Sequence, residues 1–153
     1  MKRSAGILLY RFDKADLRLF LVHPGGPFFK NKDMGSWTIP KGEIDENEDP
    51  LQAAIREFKE ETGVLLNGSF TELKPVKQKS GKIVYAWALK GDINEKNLVC
   101  NTFSMEWPPG SGRFSEFPEI DRGEWFPIST ATEKIIPAQA PLITQLIELT
   151  KST

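Results

Sequence analysis

The N-terminal part of the chain contains two stretches that are rich in β-forming residues. "SAGILLYRF" (4–12) and "LRLFLVHP" (17–24) flank the polar segment "DKAD". This pattern predicts a β-hairpin of two core strands. Residues 25–35 combine glycine, proline, asparagine and aspartate with two adjacent phenylalanines, which indicates an exposed loop beside a pocket. A short strand "WTIP" is expected after this loop.

The pattern changes to a helical period at Pro50, a residue that is favoured in the first turn of a helix. Apolar residues then recur with helical spacing as far as Gly63, which supplies a C-terminal stop. These residues are Leu51, Ala54, Ile55 and Phe58. The sequence therefore predicts one amphipathic helix in this segment.

The sequence of the second half of the chain predicts two further strands, at 70–79 and 82–91. In the second strand, apolar residues occupy both sets of alternating positions, so both of its faces are expected to be at least partly buried. Residues 92–123 contain many turn formers and predict a long irregular connection before a short strand "EWFPI". A terminal helix is expected from Pro137. Its apolar stripe consists of Leu142, Ile143, Leu146, Ile147 and Leu149.

The composition is that of one globular domain spanning 1–153. Hydrophobic residues make up 39% of the 153 positions, and the net charge is −1, so nothing draws the whole chain toward nucleic acid or an anionic membrane. The apolar runs are too short to cross a bilayer, and the first residues lack the apolar stretch of a signal peptide. We therefore expect a cytoplasmic protein without membrane partners. Cys100 is the only cysteine, and we interpret it as a residue without a reactive role.

Acidic residues are concentrated near the end of the predicted helix, where Glu57, Glu60 and Glu61 share one face. Like charges at this spacing destabilise an isolated helix, and the C-terminal end of the helix dipole also disfavours anions. Lys59 and Arg56 are expected on other sides of the helix. Divalent cations are then the natural compensation, and carboxylate oxygens suit Mg²⁺ or Mn²⁺. By itself, this cluster is more typical of a solvated acidic face than of a metal site.

The wider segment "GEIDENEDPLQAAIREFKEETGV" (42–64) decides between these interpretations, because it resembles the Nudix box. All the fixed positions of that motif are filled, with Phe58 and Val64 at the hydrophobic places. They are Gly42, Glu48, Arg56, Glu57, Glu60, Glu61 and Gly63. The resemblance implies an α/β/α sandwich around a mixed β-sheet. It also implies hydrolysis of a nucleoside diphosphate that is linked to another group.

The resemblance also implies the roles of the residues in the box. Glu57, Glu60 and Glu61 are the predicted metal ligands, together with the carbonyl oxygen of Gly42, for Mg²⁺ or Mn²⁺. Arg56 is expected to orient the glutamates, with direct phosphate contact as the alternative. Two roles remain open for Glu48 at this stage: structural partner of Arg56 or outer ligand of the metal.

Three further charged residues extend the predicted site beyond the motif. Lys41 is a candidate phosphate clamp, although a solvated lysine is equally compatible with the sequence. Many members of the family add a glutamate from another loop, and we prefer Glu119 to Glu116 for this position. Glu57 is the predicted general base, with Glu119 as the alternative.

Aromatic side chains near the predicted pocket are candidates for stacking on the substrate. They are Phe28, Phe29, Trp37 and Trp107. The sequence does not separate this role from packing in the core or at the rim of the pocket. His23, the only histidine, is interpreted as structural.

The expected substrate is a small-molecule nucleotide, either a nucleoside triphosphate or a dinucleoside polyphosphate. The alternatives are a nucleotide sugar, an RNA 5′ end, or binding of a nucleotide without hydrolysis. An RNA substrate requires a basic surface, and the segment 74–82 offers a modest one. Its lysines, at 74, 77, 79 and 82, are equally typical of a protected strand edge. A homodimer is left open.

Overall fold

A mixed seven-stranded β-sheet forms the centre of the computed structural model, which describes residues 2–151. Its strands are β1 (Arg3–Asp13), β2 (Asp16–Pro24), β3 (Lys41–Glu43), β4 (Thr71–Glu72), β5 (Val76–Lys77), β6 (Ile83–Lys90) and β9 (Ile120–Pro127). The strand β1 lies between β6, with which it pairs in parallel, and the antiparallel strands β2 and β3. β9 pairs with the outer side of β2, while β4 and β5 pair with β6.

Helices cover both faces of the sheet. On one face, α1 (Pro50–Thr62) buries Ala53, Ala54 and Phe58 against β1 and β6. The opposite face is covered by α2 (Ile128–Lys134) and α3 (Ala140–Lys151), which contribute to a second apolar cluster. This arrangement confirms the predicted fold class, an α/β/α sandwich with a mixed sheet.

The N-terminal hairpin and the central helix match the sequence predictions. β1 and β2 pair from Tyr10 opposite Leu19 to Asp13 opposite Asp16, which leaves a two-residue turn. The side chain of Asp49 caps α1 by accepting a hydrogen bond from the Gln52 amide. The helix ends at Gly63, whose positive φ of 83° allows its amide to donate to the carbonyl of Lys59.

Three local predictions are corrected. Residues 37–40 form only isolated bridges, from Trp37 to Ile135 and from Thr38 to Val22, and regular pairing begins at β3. The segment 92–123 is not irregular throughout, because it contains the antiparallel hairpin of β7 (Thr102–Glu106) and β8 (Phe114–Pro118). The strand predicted at "EWFPI" is the second half of β9, and α2 was not predicted.

No helix within residues 2–151 is long and apolar enough to span a membrane.

Candidate active site

Arg56 organises the carboxylates at the exposed side of α1. Its Nε and Nη2 atoms donate to the two carboxylate oxygens of Glu48 over 2.8 and 2.9 Å. Its Nη1 donates to Glu57 over 2.9 Å and to Glu60 over 3.1 Å, while Nη2 also donates to the carbonyl of Glu43. The expectation that Arg56 lies on another side of the helix was therefore wrong, because its long side chain reaches back across the acidic face. Through this bidentate contact, Glu48 serves as a structural partner of Arg56.

Glu57 lies directly against the backbone of Gly42. A Cβ atom at position 42 would overlap the Glu57 carboxyl carbon, so only glycine leaves room for this carboxylate. Burial, and next the charge of Glu60, raise the pKa of Glu57 to about 7. This contact brings the strand β3 and the helix α1 together at the acidic cluster.

Glu61 is the most deeply buried carboxylate of the cluster, with 8% of the residue exposed. Burial, and next the nearby charge of Glu57, raise its pKa to about 8, while Lys41 acts in the opposite direction. Two carboxylates whose pKa values are raised in this way lack sufficient positive charge around them. Such a pair favours the arrival of a cation.

Glu119 approaches the same carboxylates from the segment between β8 and β9. Its amide donates to the carbonyl of Asn101 over 2.9 Å, and the amide of Asn101 donates to the carbonyl of Glu60 over 2.9 Å. Burial, and next the charge of Glu60, raise the pKa of Glu119. The fold thus places Glu119 near the acidic cluster, whereas Glu116 is exposed on the hairpin.

The donor atoms of the cluster suit a divalent cation, although no group of three or more acidic, histidine or cysteine side chains within residues 2–151 already has the arrangement of a bound ion. Arg56 holds oxygens of Glu57 and Glu60, and these would have to turn toward a cation. All the side-chain donors are carboxylate oxygens, as Mg²⁺ prefers. The raised pKa values of Glu57 and Glu61 give the same indication, since added positive charge would relieve both groups.

Lys41 lies beside the acidic cluster in a partly buried position on β3. Burial, and next the neighbouring charge of Lys82, lower its pKa, while the carboxylates of the cluster and of Glu43 act in the opposite direction. Within the described part of the chain, no carboxylate is close enough to form an ion pair with its ammonium group. An anion such as a phosphate group would relieve this environment. Sequence reasoning did not connect Lys82 with Lys41, because the two residues are far apart in the chain and only the pairing of the strands brings them together.

The predicted aromatic contacts divide into a buried group and an outer group. Trp37 is only 1% exposed and donates through Nε1 to Asp33 over 2.8 Å. This burial contradicts the prediction that Trp37 stacks on the substrate. Phe28 is 57% exposed and meets Trp107 at the hairpin edge, with ring centroids 5.6 Å apart. Phe28 and Trp107 therefore remain available to a ligand.

His23 has a structural position, as the sequence suggested. It is 1% exposed, and its Nδ1 lies 2.8 Å from an oxygen of Asp121. Its Nε2 lies 2.6 Å from the carbonyl oxygen of Lys32. The ring thereby joins β2, β9 and the loop that follows β2.

Comparison with known proteins shows the family of this chain. The family model of the NUDIX domain matches residues 1–146. The chain belongs to the NUDIX family. It is also similar to two curated RNA pyrophosphohydrolases. One, from Brucella anthropi, is 30% identical over 120 residues, which cover 72% of this chain and 67% of the relative. The other, from Rhizobium meliloti, is 31% identical over 118 residues, which cover 66% of this chain and 64% of the relative.

Solved NUDIX structures share the fold at lower identity. A binary complex of Caenorhabditis elegans Ap4A hydrolase has a TM-score of 0.69 at 22% identity, covering 98% of this chain and 99% of that chain. The NUDIX domain of Shewanella oneidensis NrtR, in complex with ADP ribose, has a TM-score of 0.67 at 18% identity, covering 97% and 87%. Family membership and the curated relatives identify this chain as a NUDIX pyrophosphohydrolase of nucleotide-linked substrates. Members of the family generally use divalent metals such as Mg²⁺.

Proposed function

We propose that the chain hydrolyses a phosphoanhydride bond of a nucleoside triphosphate or a dinucleoside polyphosphate, in a reaction that requires Mg²⁺ or Mn²⁺. The observation that carries this proposal is the position of Lys41, a lysine without an ion-pair partner in the described chain, beside carboxylates that lack positive charge. A polyphosphate bound with a divalent ion would compensate both charges. The phosphate groups would pair with the ammonium group of Lys41, and the cation would bind the carboxylates of the glutamates.

Four groups would hold the metal: the carboxylates of Glu57, Glu60 and Glu61, and the carbonyl oxygen of Gly42. When bound, the metal neutralises the negative charge of the polyphosphate and polarises the phosphorus that is attacked. Lys41 would bind a phosphate oxygen. Arg56 would stay paired with Glu48 and orient Glu57 and Glu60 from one side, as their oxygens turn from its guanidinium toward the metal.

Glu57 is the proposed general base. It would take a proton from the attacking water, while the water oxygen bonds to phosphorus and the bond to the leaving phosphate breaks. Its place on the same helical face as Glu60 and Glu61 supports this role, because a water beside the metal would lie within its reach. Glu119 is the alternative base, since it carries a carboxylate near the same cluster and its pKa is also raised.

The test is a panel of nucleoside triphosphates, dinucleoside polyphosphates and nucleotide sugars, incubated with the purified chain and Mg²⁺, with products identified by mass spectrometry. We expect hydrolysis that stops when a chelator is added in excess. In ¹⁸O-labelled water, the label should enter a phosphate product. Turnover that persists in excess chelator, or label on a sugar carbon, would contradict the metal assignment or the phosphorus mechanism respectively.

An RNA 5′ end is the second candidate substrate. It is favoured by the name of the curated relatives, RNA pyrophosphohydrolases at 30% and 31% identity. Hydrolysis of a 5′-triphosphorylated oligoribonucleotide should be measured beside the mononucleotides. A higher kcat/KM for the oligonucleotide than for every free nucleotide would favour this candidate, and the opposite ranking would favour the first.

A further inference from the structure

Three lysines converge at one end of the central sheet, next to the candidate active site. They surround a cleft of about 650 Å³ that is lined by Lys2, Lys77, Ser80, Gly81 and Lys82. Lys2 comes just before β1, Lys77 lies on β5, and Lys82 comes just before β6. The cleft is therefore built by the ends of three neighbouring strands and by the turn between β5 and β6.

The pairing of the strands connects this cleft to Lys41. Ser4 of β1 lies opposite Glu43, and Gly6 lies opposite Lys41, so the side chains at 41 and 43 project from the same face of β3. Lys82 lies 3.8 Å from the Glu43 carboxylate, and Lys2 lies 3.7 Å from it. The two lysines are thus held close to the strand that carries Lys41.

The charges at this end of the sheet do not balance. Lys2 and Lys82 share the carboxylate of Glu43, which is 57% exposed, and such exposed ion pairs contribute little energy. Lys77 has no ion pair within the described residues. The cleft itself is therefore lined by three ammonium groups with one neighbouring carboxylate, so it carries a net positive charge.

Protection of an exposed strand edge does not explain this arrangement fully. Edge lysines prevent a neighbouring chain from pairing, and Lys77 on the outer strand β5 is compatible with that role. Lys2, however, precedes β1, which is paired on both sides and is not an edge. Convergence of a central strand and an outer strand on one cleft is instead typical of a binding surface for anions.

We propose that this cleft binds phosphate groups of the substrate that lie beyond the scissile bond. The inference rests on the proposed function and adds to it, because it favours substrates that continue past the cleaved pyrophosphate. Such phosphates can come from the backbone of an RNA 5′ end or from the far end of a dinucleoside polyphosphate. Lys41 would contact the phosphates at the reaction centre, and Lys2, Lys77 and Lys82 would contact the following ones.

The experiment compares the double variant Lys77→Gln/Lys82→Gln with the wild-type protein. The matched control is Lys90→Gln/Lys96→Gln, which removes two exposed lysines that do not line the cleft. For each protein, kcat/KM is measured for a 5′-triphosphorylated oligoribonucleotide, for diadenosine tetraphosphate and for GTP. Binding of a fluorescent, 5′-triphosphorylated oligonucleotide is followed by anisotropy between 50 and 200 mM salt.

For the cleft variant, we expect kcat/KM for at least one long substrate to fall on the order of tenfold relative to GTP, with an unchanged ratio in the control. A fall for the oligonucleotide, with a salt slope of binding reduced by about one per lysine, would identify an RNA backbone as the occupant. A fall only for diadenosine tetraphosphate would identify a short polyphosphate chain.

The proposal would be overturned if both ratios stayed at the wild-type value, or if the control variant showed the same losses. Failure of the proposed function has a different signature, because the wild-type protein would then hydrolyse none of the three substrates. In that case anisotropy still tests the cleft. Equal affinity and equal salt slope in the wild type and the cleft variant would refute it.

Discussion

The buried carboxylate of Glu61 should make the metal-free protein less stable as the pH rises. Burial and the charge of Glu57 raise the pKa of Glu61 from 4.5 to about 8, so the folded chain keeps a proton that the unfolded chain releases. Between these two values protons favour the folded state, and stability therefore falls as the pH rises through this window. Glu61→Gln imitates the protonated form and should remove this dependence.

The size of the effect follows from the displacement of the pKa. Each pH unit corresponds to about 1.4 kcal/mol, so the full displacement would be worth on the order of 5 kcal/mol. Glu57 titrates in the same range, and rearrangement of the side chains reduces the cost of the charge. We therefore expect Glu61→Gln to stabilise the metal-free protein by roughly 2 to 3 kcal/mol at pH 8, which is about 5 to 10 °C in Tm.

The assay is thermal unfolding in chelator from pH 5 to pH 8.5, for the wild type, Glu61→Gln and the control Glu46→Gln, which removes an exposed charge from the loop before α1. The advantage of Glu61→Gln should vanish near pH 5, and the control should follow the wild type. Adding Mg²⁺ at pH 8 should stabilise the wild type more than Glu61→Gln. A wild-type Tm that does not fall relative to that of Glu61→Gln as the pH rises would refute the reasoning.

Three further predictions concern neighbouring residues. Glu57→Gln should lower kcat by roughly 10² to 10⁴ with Mg²⁺ present, and Glu119→Gln by much less; steady-state kinetics would show the reverse ranking if Glu119 were the base. Gly42→Ala should displace the Glu57 carboxylate and reduce activity strongly, while circular dichroism shows a retained fold; wild-type kcat/KM in this variant would contradict the close contact. Arg56→Gln should lower the Tm by several degrees, because Glu48 loses a bidentate partner, and should weaken Mg²⁺ binding in a metal titration. An unchanged Tm would argue against the role of Arg56 in holding Glu48.

The parts of the fold that the sequence predicted well are those with strong local signals. The helix α1 has a proline at its start, a glycine at its end and a periodic apolar face, so its bounds are set by residues close in the chain. The hairpin of β1 and β2 is likewise defined by a short polar turn between two apolar runs. These local signals do not depend on the rest of the fold.

The hairpin of β7 and β8 was missed because its strands are short and mostly exposed, and the turn between them contains two prolines and two glycines. Alternation of Phe103, Met105 and Trp107 was the signal that could have revealed it. The helix α2 has seven residues, and only Ala131 is buried, which leaves no periodic face to detect.

Within the site, the motif predicted which glutamates cluster, but not how their charges are shared. Arg56 reaches Glu57 and Glu60 along its own helix, and it reaches Glu48 because the loop before α1 folds back onto the helix. The burial of Trp37 depends on α2 and β9, which are remote in sequence. Such long-range contacts cannot be read from local spacing.

Backbone hydrogen bonds at the base of the β7–β8 hairpin hold Glu119 in position. Its position therefore does not depend on the side chains of most hairpin residues. Main-chain hydrogen bonds link Glu60 to Asn101, Asn101 to Glu119, and Glu119 to Gly25. The tip around Gly110 lies at the far end of two paired strands and is exposed. Insertions at this tip, such as a tag or a fluorescent reporter, should therefore be tolerated without moving Glu119. The tip beyond Trp107 is thus a practical place for attaching a probe and, over evolutionary time, for sequence change that leaves Glu119 in place.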